Sequence, residues 1–177
     1  MMFLITNERK ASYDKDIWKL LFEADQEFIP ALSARNQTTQ KNLTGGVASL
    51  EGPVAYFTQM LEQHFVLAIE EGRVIGFLSF IPDHSLTVGE CTILCDYVST
   101  IVVSPEMRNR GITRKMYQTL FAHRPGRRIA TRTWSTNTTH LHLLGTLGFS
   151  LIHRIENDRG EGLDTVYYLR ESAQDEG

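Results

Sequence analysis

Cysteine is scarce: Cys91 and Cys95 are the only two in 177 residues. Their C-x-x-x-C spacing is neither the C-x-x-C redox pattern nor a zinc pair with visible partners, so reduced thiols are expected and no metal is assigned. Long apolar runs are lacking too; none approaches the roughly 20 residues that a membrane helix needs. Residues 1–5 are too short for a signal-peptide core and are followed at once by Asn7, Glu8, Arg9 and Lys10. A cytoplasmic protein with no membrane contact is the expectation. Excess positive charge is also missing. A net charge of −3 and a pI near 6.1 argue against a nucleic-acid groove, which wants a basic domain. No internal repeat or low-complexity block occurs, and neither a Walker string nor a Gly-x-Gly-x-x-Gly fingerprint is present.

What remains is an ordinary globular composition, 42% hydrophobic and 22% charged, on one domain's length of chain. Its most informative stretch is 97–121. An apolar run at 98–103 is stopped by Ser104 and Pro105. The period then switches, with Ile112, Met116 and Leu120 recurring at i, i+4 and i+8 as one face of a helix. Between strand and helix lies Glu106-Met107-Arg108-Asn109-Arg110-Gly111. A first helical turn preceded by such a loop presents unpaired N–H groups and a positive dipole end, which suits phosphate. Gly111 permits close approach, and Arg108 and Arg110 offer mobile positive charge.

Taken in order, residues 3–5 read as a first strand. Ser12 or Asp14 can cap a helix striped by Ile17, Leu20, Leu21, Ala24 and Phe28. Residues 33–51 are polar and carry Gly45-Gly46, a lid or a passive connector. Pro53 opens a second helix, then 65–69 and 74–81 form a hairpin around Glu71-Gly72. Residues 82–91 read as a loop. After the central strand and helix, 128–135 alternates like a strand. Asn137, Thr138 or Thr139 can cap a helix ending at Gly148. Residues 150–155 and 165–169 make a last strand pair around a polar loop at 156–164, and 171–177 reads as a flexible tail beyond a single domain at 1–170.

The central loop resembles the acyl-CoA loop of the GNAT superfamily of N-acetyltransferases, Gln/Arg-x-x-Gly-x-Gly/Ala. Here it reads Arg108-Asn109-Arg110-Gly111-Ile112-Thr113, with Thr113 departing from the usual glycine or alanine. A second family motif, Asn-x-x-Ala-x-x-Leu-Tyr-x-Lys-x-Gly-Phe, is matched at Asn137, Leu143, Gly148 and Phe149 but not at His140, Leu144 or Thr146. The resemblance spans roughly 65–169. It implies an α/β fold: a single-domain, GNAT-like mixed and largely antiparallel twisted sheet, its central parallel strand pair splayed around the cofactor cleft, with helices on both faces.

The resemblance further implies acetyl-CoA as acyl donor and no metal. The acetyl group would pass to a primary amine of a small molecule, amino acid or peptide by direct attack in a ternary complex. A homodimer is compatible with it. Backbone N–H groups of Ile101, Val102 and Val103 would hold the thioester and pantetheine, the loop residues Arg108 to Thr113 the diphosphate, and Asn137 the splay. The family's acid tyrosine falls at Leu144, which donates nothing. The thiolate then leaves unassisted, or Ser135 or His140 protonates it. Tyr97 stands where some members carry a glutamate base; Asp96 and Glu90 are the other candidates. Acceptor selectivity is expected from the stretch around Arg35 and Asn36 and from Asn157-Asp158-Arg159, with Asp164 holding an amine or ending a turn. Arg132 and Trp134 are left open between core and cleft, Trp134 leaning to packing. The alternative is a catalytically weak acyl-CoA-binding or sensing module.

Overall fold

Alternation along one strand assigns the two helical layers. In β2 (His64–Glu70), Phe65, Leu67 and Ile69 point to one side of the sheet, Val66 and Ala68 to the other. The first set packs on α1 (Asp14–Ala24) and α2 (Val54–Met60) through Ile17, Leu21, Tyr56 and Met60. The second packs on α3 (Ile112–His123) and α4 (Thr138–Thr146) through Met116, Tyr117, Leu120 and Leu144. The computed structural model describes residues 1–7 and 11–172. Its other strands are β1 (Met2–Thr6), β3 (Arg73–Val88), β4 (Cys91–Val103), β5 (Ile129–Trp134), β6 (Ser150–Gly160) and β7 (Leu163–Arg170).

The seven strands form one open sheet in the order β1-β2-β3-β4-β5-β7-β6. Every neighbouring pair is antiparallel except β4–β5. That parallel pair is short. Asp96, Tyr97 and Val98 face Ile129, Ala130 and Thr131, and beyond them no ladder joins the two strands. The register against β3 shows why. Phe80 faces Val98 and Ser79 faces Thr100, so Ser99 is an extra residue in β4 and the strand bends at that bulge. The ladder to β5 ends at Val98, the residue just before this insertion.

Two expected loops are strands. Residues 82–91 continue β3 into β4 through a turn at Gly89 (φ +59°), with Leu86 and Val88 buried. Pro82 misled because it cannot donate to a ladder. Here it sits at a register shift between Ile81 and His84, where no ladder bond is asked of it. The stretch 156–164 likewise belongs to a hairpin, β6 reaching Gly160 and β7 starting at Leu163, with Asn157 (φ +54°) and Gly162 (φ +72°) supplying the irregular backbone.

Smaller expectations also shift. Neither Ser12 nor Asp14 caps α1; Tyr13 holds that position without a side-chain bond, and Asp16 instead accepts from the Val74 N–H at 3.0 Å. The α1 stripe ends at Ala24, followed by a 3-10 turn before Phe28. Pro53 precedes α2 instead of opening it. Gly148 (φ +86°) does end α4, and the Phe149 N–H reaches back to the Leu144 carbonyl at 3.0 Å. The tail expected at 171–177 falls, from residue 173 on, outside the described residues.

The segment 33–51 is neither free nor featureless. Arg35, Thr38 and Leu43 are buried. The Thr38 N–H donates to Gln59 Oε1 at 2.8 Å, and Gln63 Nε2 donates to the Thr38 hydroxyl at 2.8 Å. Packing of this kind presses the segment onto the α2 side of the sheet.

Candidate active site

The opening between β4 and β5 leads into a cleft of about 800 Å³. One wall is β4 from Ser99 to Val103, the other β5 from Thr131 to Trp134. Successive strand residues point to opposite faces, so Thr131 and Thr133 line the α3/α4 side while Arg132 and Trp134 line the α1/α2 side. The cleft therefore reaches both faces of the sheet through the splay. Ligands of open α/β sheets sit at this place, beyond the carboxyl ends of diverging parallel strands.

At the α3 end lies the glycine turn. Asn109 (φ +61°) and Gly111 (φ +71°) are both left-handed, and Gly111 is the residue preceding the first turn of α3. Lys115 is the first N–H there to reach a helical acceptor, the Gly111 carbonyl at 3.1 Å. The N–H groups of the preceding turn point out of the helix end, the arrangement that binds anions. A Cβ placed on Gly111 would meet no atom within 4 Å. The turn lines the cleft, and among the described residues no side chain fills the space in front of Gly111. These features fit a diphosphate.

The sequence model of the acetyltransferase (GNAT) family matches residues 30–149. This chain belongs to that family. Solved structures agree on the fold. An N-acetyltransferase from Staphylococcus aureus Mu50 superposes with a TM-score of 0.65 at 17% identity, covering 97% of this chain and 99% of the other. An aminoglycoside 6'-N-acetyltransferase complexed with coenzyme A gives 0.66 at 14% identity, covering 97% of each chain. The ribosomal-protein-alanine N-acetyltransferase from Brucella melitensis gives 0.64 at 16%, covering 95% and 99%. No curated protein sequence matches.

Within this GNAT cleft the expected cofactor residues divide. Ile101, Val102, Val103, Arg108, Asn109, Gly111, Ile112, Thr113 and Asn137 all line it. Arg110 does not; its side chain is exposed elsewhere. Arg108 is not the mobile charge expected. Its guanidinium forks onto Glu27 at 2.9 and 2.7 Å, and its Nε donates to the Val103 carbonyl at 3.2 Å. A cation that does line the cleft beside the turn is Arg114, in the first turn of α3, whose guanidinium donates to the Thr146 hydroxyl at 2.9 Å. Its place three residues after Gly111 was the signal to notice. Three consecutive strand amides cannot all face one side, since β3 takes alternate ones; the cleft receives either Val102 or the pair Ile101 and Val103. Asn137 occupies the N-cap position of α4 without a capping bond, and its amide donates to the Thr133 hydroxyl at 3.0 Å.

The expected catalytic trio is scattered. Tyr97 is 2% exposed, packs with Tyr167 and Ala130, and lies outside the main cleft. Burial pushes its phenol up to about 12, so it is no base at neutral pH. Ser135 is not in the cleft either; its hydroxyl accepts from the Asp164 N–H at 3.0 Å and ties β5 to β7. Only His140 is present. Its Nε2 lies 3.5 Å from the Tyr117 hydroxyl, and burial pushes the imidazole down to about 4, leaving it neutral at pH 7. A neutral ring can relay a hydrogen bond but carries no imidazolium proton to give.

The other candidate bases are engaged. Asp96 is fully buried, accepting from Arg124 at 2.7 and 3.1 Å and from the Asp83 N–H at 3.0 Å. Glu90 is in the exposed turn between β3 and β4. Asp164, the second residue of β7, serves the hairpin turn: its carboxylate accepts from Arg154 Nε at 2.6 Å and from the Asn157 N–H at 2.8 Å. Among the described residues that line the cleft Glu27 is the one carboxylate, already paired with Arg108. Leu144 is fully buried in the core against α3.

Arg132 and Trp134 both belong to the cleft and not to the core. Trp134 packs against Phe28 with ring centroids 5.9 Å apart, a wall that the reading of Trp134 as packing overlooked. Arg35 and Arg159 also line it, while Asn36 is exposed.

Proposed function

We propose that this protein transfers an acetyl group from acetyl-CoA to a primary amine by direct attack in a ternary complex, with residues 1–170 acting as one catalytic unit in the cytoplasm. The observation that carries the reading is a cleft continuous from the open Gly111 turn to the β4–β5 splay. The turn's amides, with Arg114, take the diphosphate. The β4 amides that face away from β3 hold the pantetheine and polarise the thioester carbonyl. Asn137 and Thr133 shape the floor of the splay. When bound, acetyl-CoA supplies the activated acyl group.

Among the described residues no free carboxylate lines the cleft, which favours an acceptor amine already part-neutral. An α-amine with a pKa near 7.7–8 meets that demand and a lysine amine near 10.4 does not. A departing thiolate with a parent thiol pKa near 8.5 needs no strong acid.

A second reading, a catalytically weak acyl-CoA-binding or sensing module, is favoured by Leu144, buried where the family's acid tyrosine stands. Titration with acetyl-CoA followed by thiol release over an amine panel decides between them. Transfer to an amine is the expected result. Tight binding without turnover on any amine supports the module, and no acetyl-CoA binding overturns both.

A further inference from the structure

Three arginines meet on the acceptor side of the cleft. Arg35 comes from the segment after α1, Arg132 from the middle of β5 and Arg159 from the irregular end of β6. Arg35 and Arg159 are 6% and 7% exposed. Arg132 projects from the face of β5 opposite Thr131 and Thr133, so the group lies across the sheet from the Gly111 turn.

Their partners are neutral. Arg35 donates twice to the Pro30 carbonyl, at 3.2 and 2.8 Å. Arg132 donates to the Gln40 carbonyl at 2.6 Å and to the Tyr167 hydroxyl at 3.5 Å. Arg159 donates to the Ile29 carbonyl at 2.7 Å and the Thr165 hydroxyl at 3.0 Å. Among the described residues no carboxylate lies within ion-pairing distance of any of them. The nearest candidates are occupied, Asp25 by Ser33 and Asp158 by the Thr165 hydroxyl.

Buried like charges without a counter-ion are costly to maintain. Burial, with Arg35 and Arg132 adding to it, brings Arg159 down to about 9, so it is still cationic at neutral pH. Each guanidinium has five N–H donors and spends only part of them on the bonds above. Aromatic faces fix two of the three in place: Arg35 lies 6.0 Å from the Phe28 centroid and Arg159 5.7 Å from that of Trp134. The result is a rigid positive end wall lacking its anion.

We propose that Arg35, Arg132 and Arg159 form the recognition site for an acidic acceptor, an amine that carries a carboxylate or a phosphate group. The inference rests on the acetyl-transfer reading of the cleft and names the acceptor class for it. Planar guanidinium forks suit both oxyanions, and the same wall repels polycationic amines.

Calorimetric titration of the CoA-saturated protein tests this with matched probes: L-phenylalanine against L-phenylalaninamide, D-glucosamine 6-phosphate against D-glucosamine, and kanamycin as the polycation. In at least one pair the anionic member should bind about tenfold or more tightly than its neutral partner, the size expected for charge-assisted hydrogen bonds. The pair that responds tells carboxylate from phosphate. R132Q and R159Q should bring that ratio close to unity. Equal affinities within both pairs, no binding by any of the amines, or kanamycin as the best ligand overturns the assignment; the wild-type ratios stand even if a variant fails to fold. A protein that binds no CoA defeats the acetyl-transfer reading itself and this inference with it. CoA binding without an anion preference defeats the inference alone.

Discussion

Replacing Gly111 by alanine separates what the turn does for folding from what it does for the cofactor. Gly111 has φ +71°, and an added Cβ meets no protein atom within 4 Å. No steric clash inside the protein is therefore introduced. The folding cost is conformational, about 1–2 kcal/mol for an L-residue held in the left-handed region. For a chain of this size that corresponds to a fall in Tm of roughly 2–8 °C. The methyl group instead projects into the space where a diphosphate must approach the amides at the start of α3. Losing one or two hydrogen bonds to a charged group costs about 1.5–3 kcal/mol each, so acetyl-CoA affinity should fall at least tenfold. Thermal unfolding and calorimetry on one preparation read both numbers. Gly111→Asn, which tolerates left-handed backbone, should recover stability but not affinity. If Gly111→Ala melts earlier as expected yet binds acetyl-CoA unchanged, the turn does not hold the diphosphate.

Asp96→Ala removes a fully buried carboxylate from Arg124 and from the Asp83 N–H; urea unfolding should show a loss of about 3–5 kcal/mol, the cost of breaking a buried pair. Tyr97→Phe and Ser135→Ala act outside the cleft and should each leave kcat/KM for the preferred amine and its pH profile unchanged, a shifted basic limb marking Tyr97 as a base after all. The His140 imidazole is pushed down to about 4 in the folded state from 6.5. Between those values the unfolded chain binds the extra proton, so folding stability falls as pH drops from 6.5 towards 4, by up to about 3 kcal/mol. Urea titrations at pH 4.5 and 7 should show a steeper loss for the wild type than for His140→Gln; parallel losses would refute the burial of a neutral ring.

Local order made much of this protein readable. The run 98–103, the glycine turn and the stripe Ile112, Met116 and Leu120 are contiguous, so strand, turn and helix could be recognised from spacing, and the loop together with the motif at Asn137 and Phe149 resembled the family whose sequence model matches residues 30–149. Pro82 shows the limit of such reading: a residue that breaks most ladders is harmless at a register shift, and shifts are properties of two strands together. The β4 bulge at Ser99 is of the same kind, and it lies where the β4–β5 ladder ends and the cleft begins. Arg108, expected to be free, is captured by Glu27 from the end of the first helical layer.

The arginine wall was only partly legible. The stretch around Arg35 and the loop bearing Arg159 were expected to shape acceptor selectivity and Arg132 was left open between core and cleft, but that the three guanidinium groups share one cavity emerges only when β5, β6 and the segment after α1 are folded together. Periodicity reports how a segment faces its own surroundings, so it yields helices, strands and the glycine turn between them. Which distant side chains share a cavity, and which charges are left there without a counter-ion, depends on how the sheet twists and where its strands part.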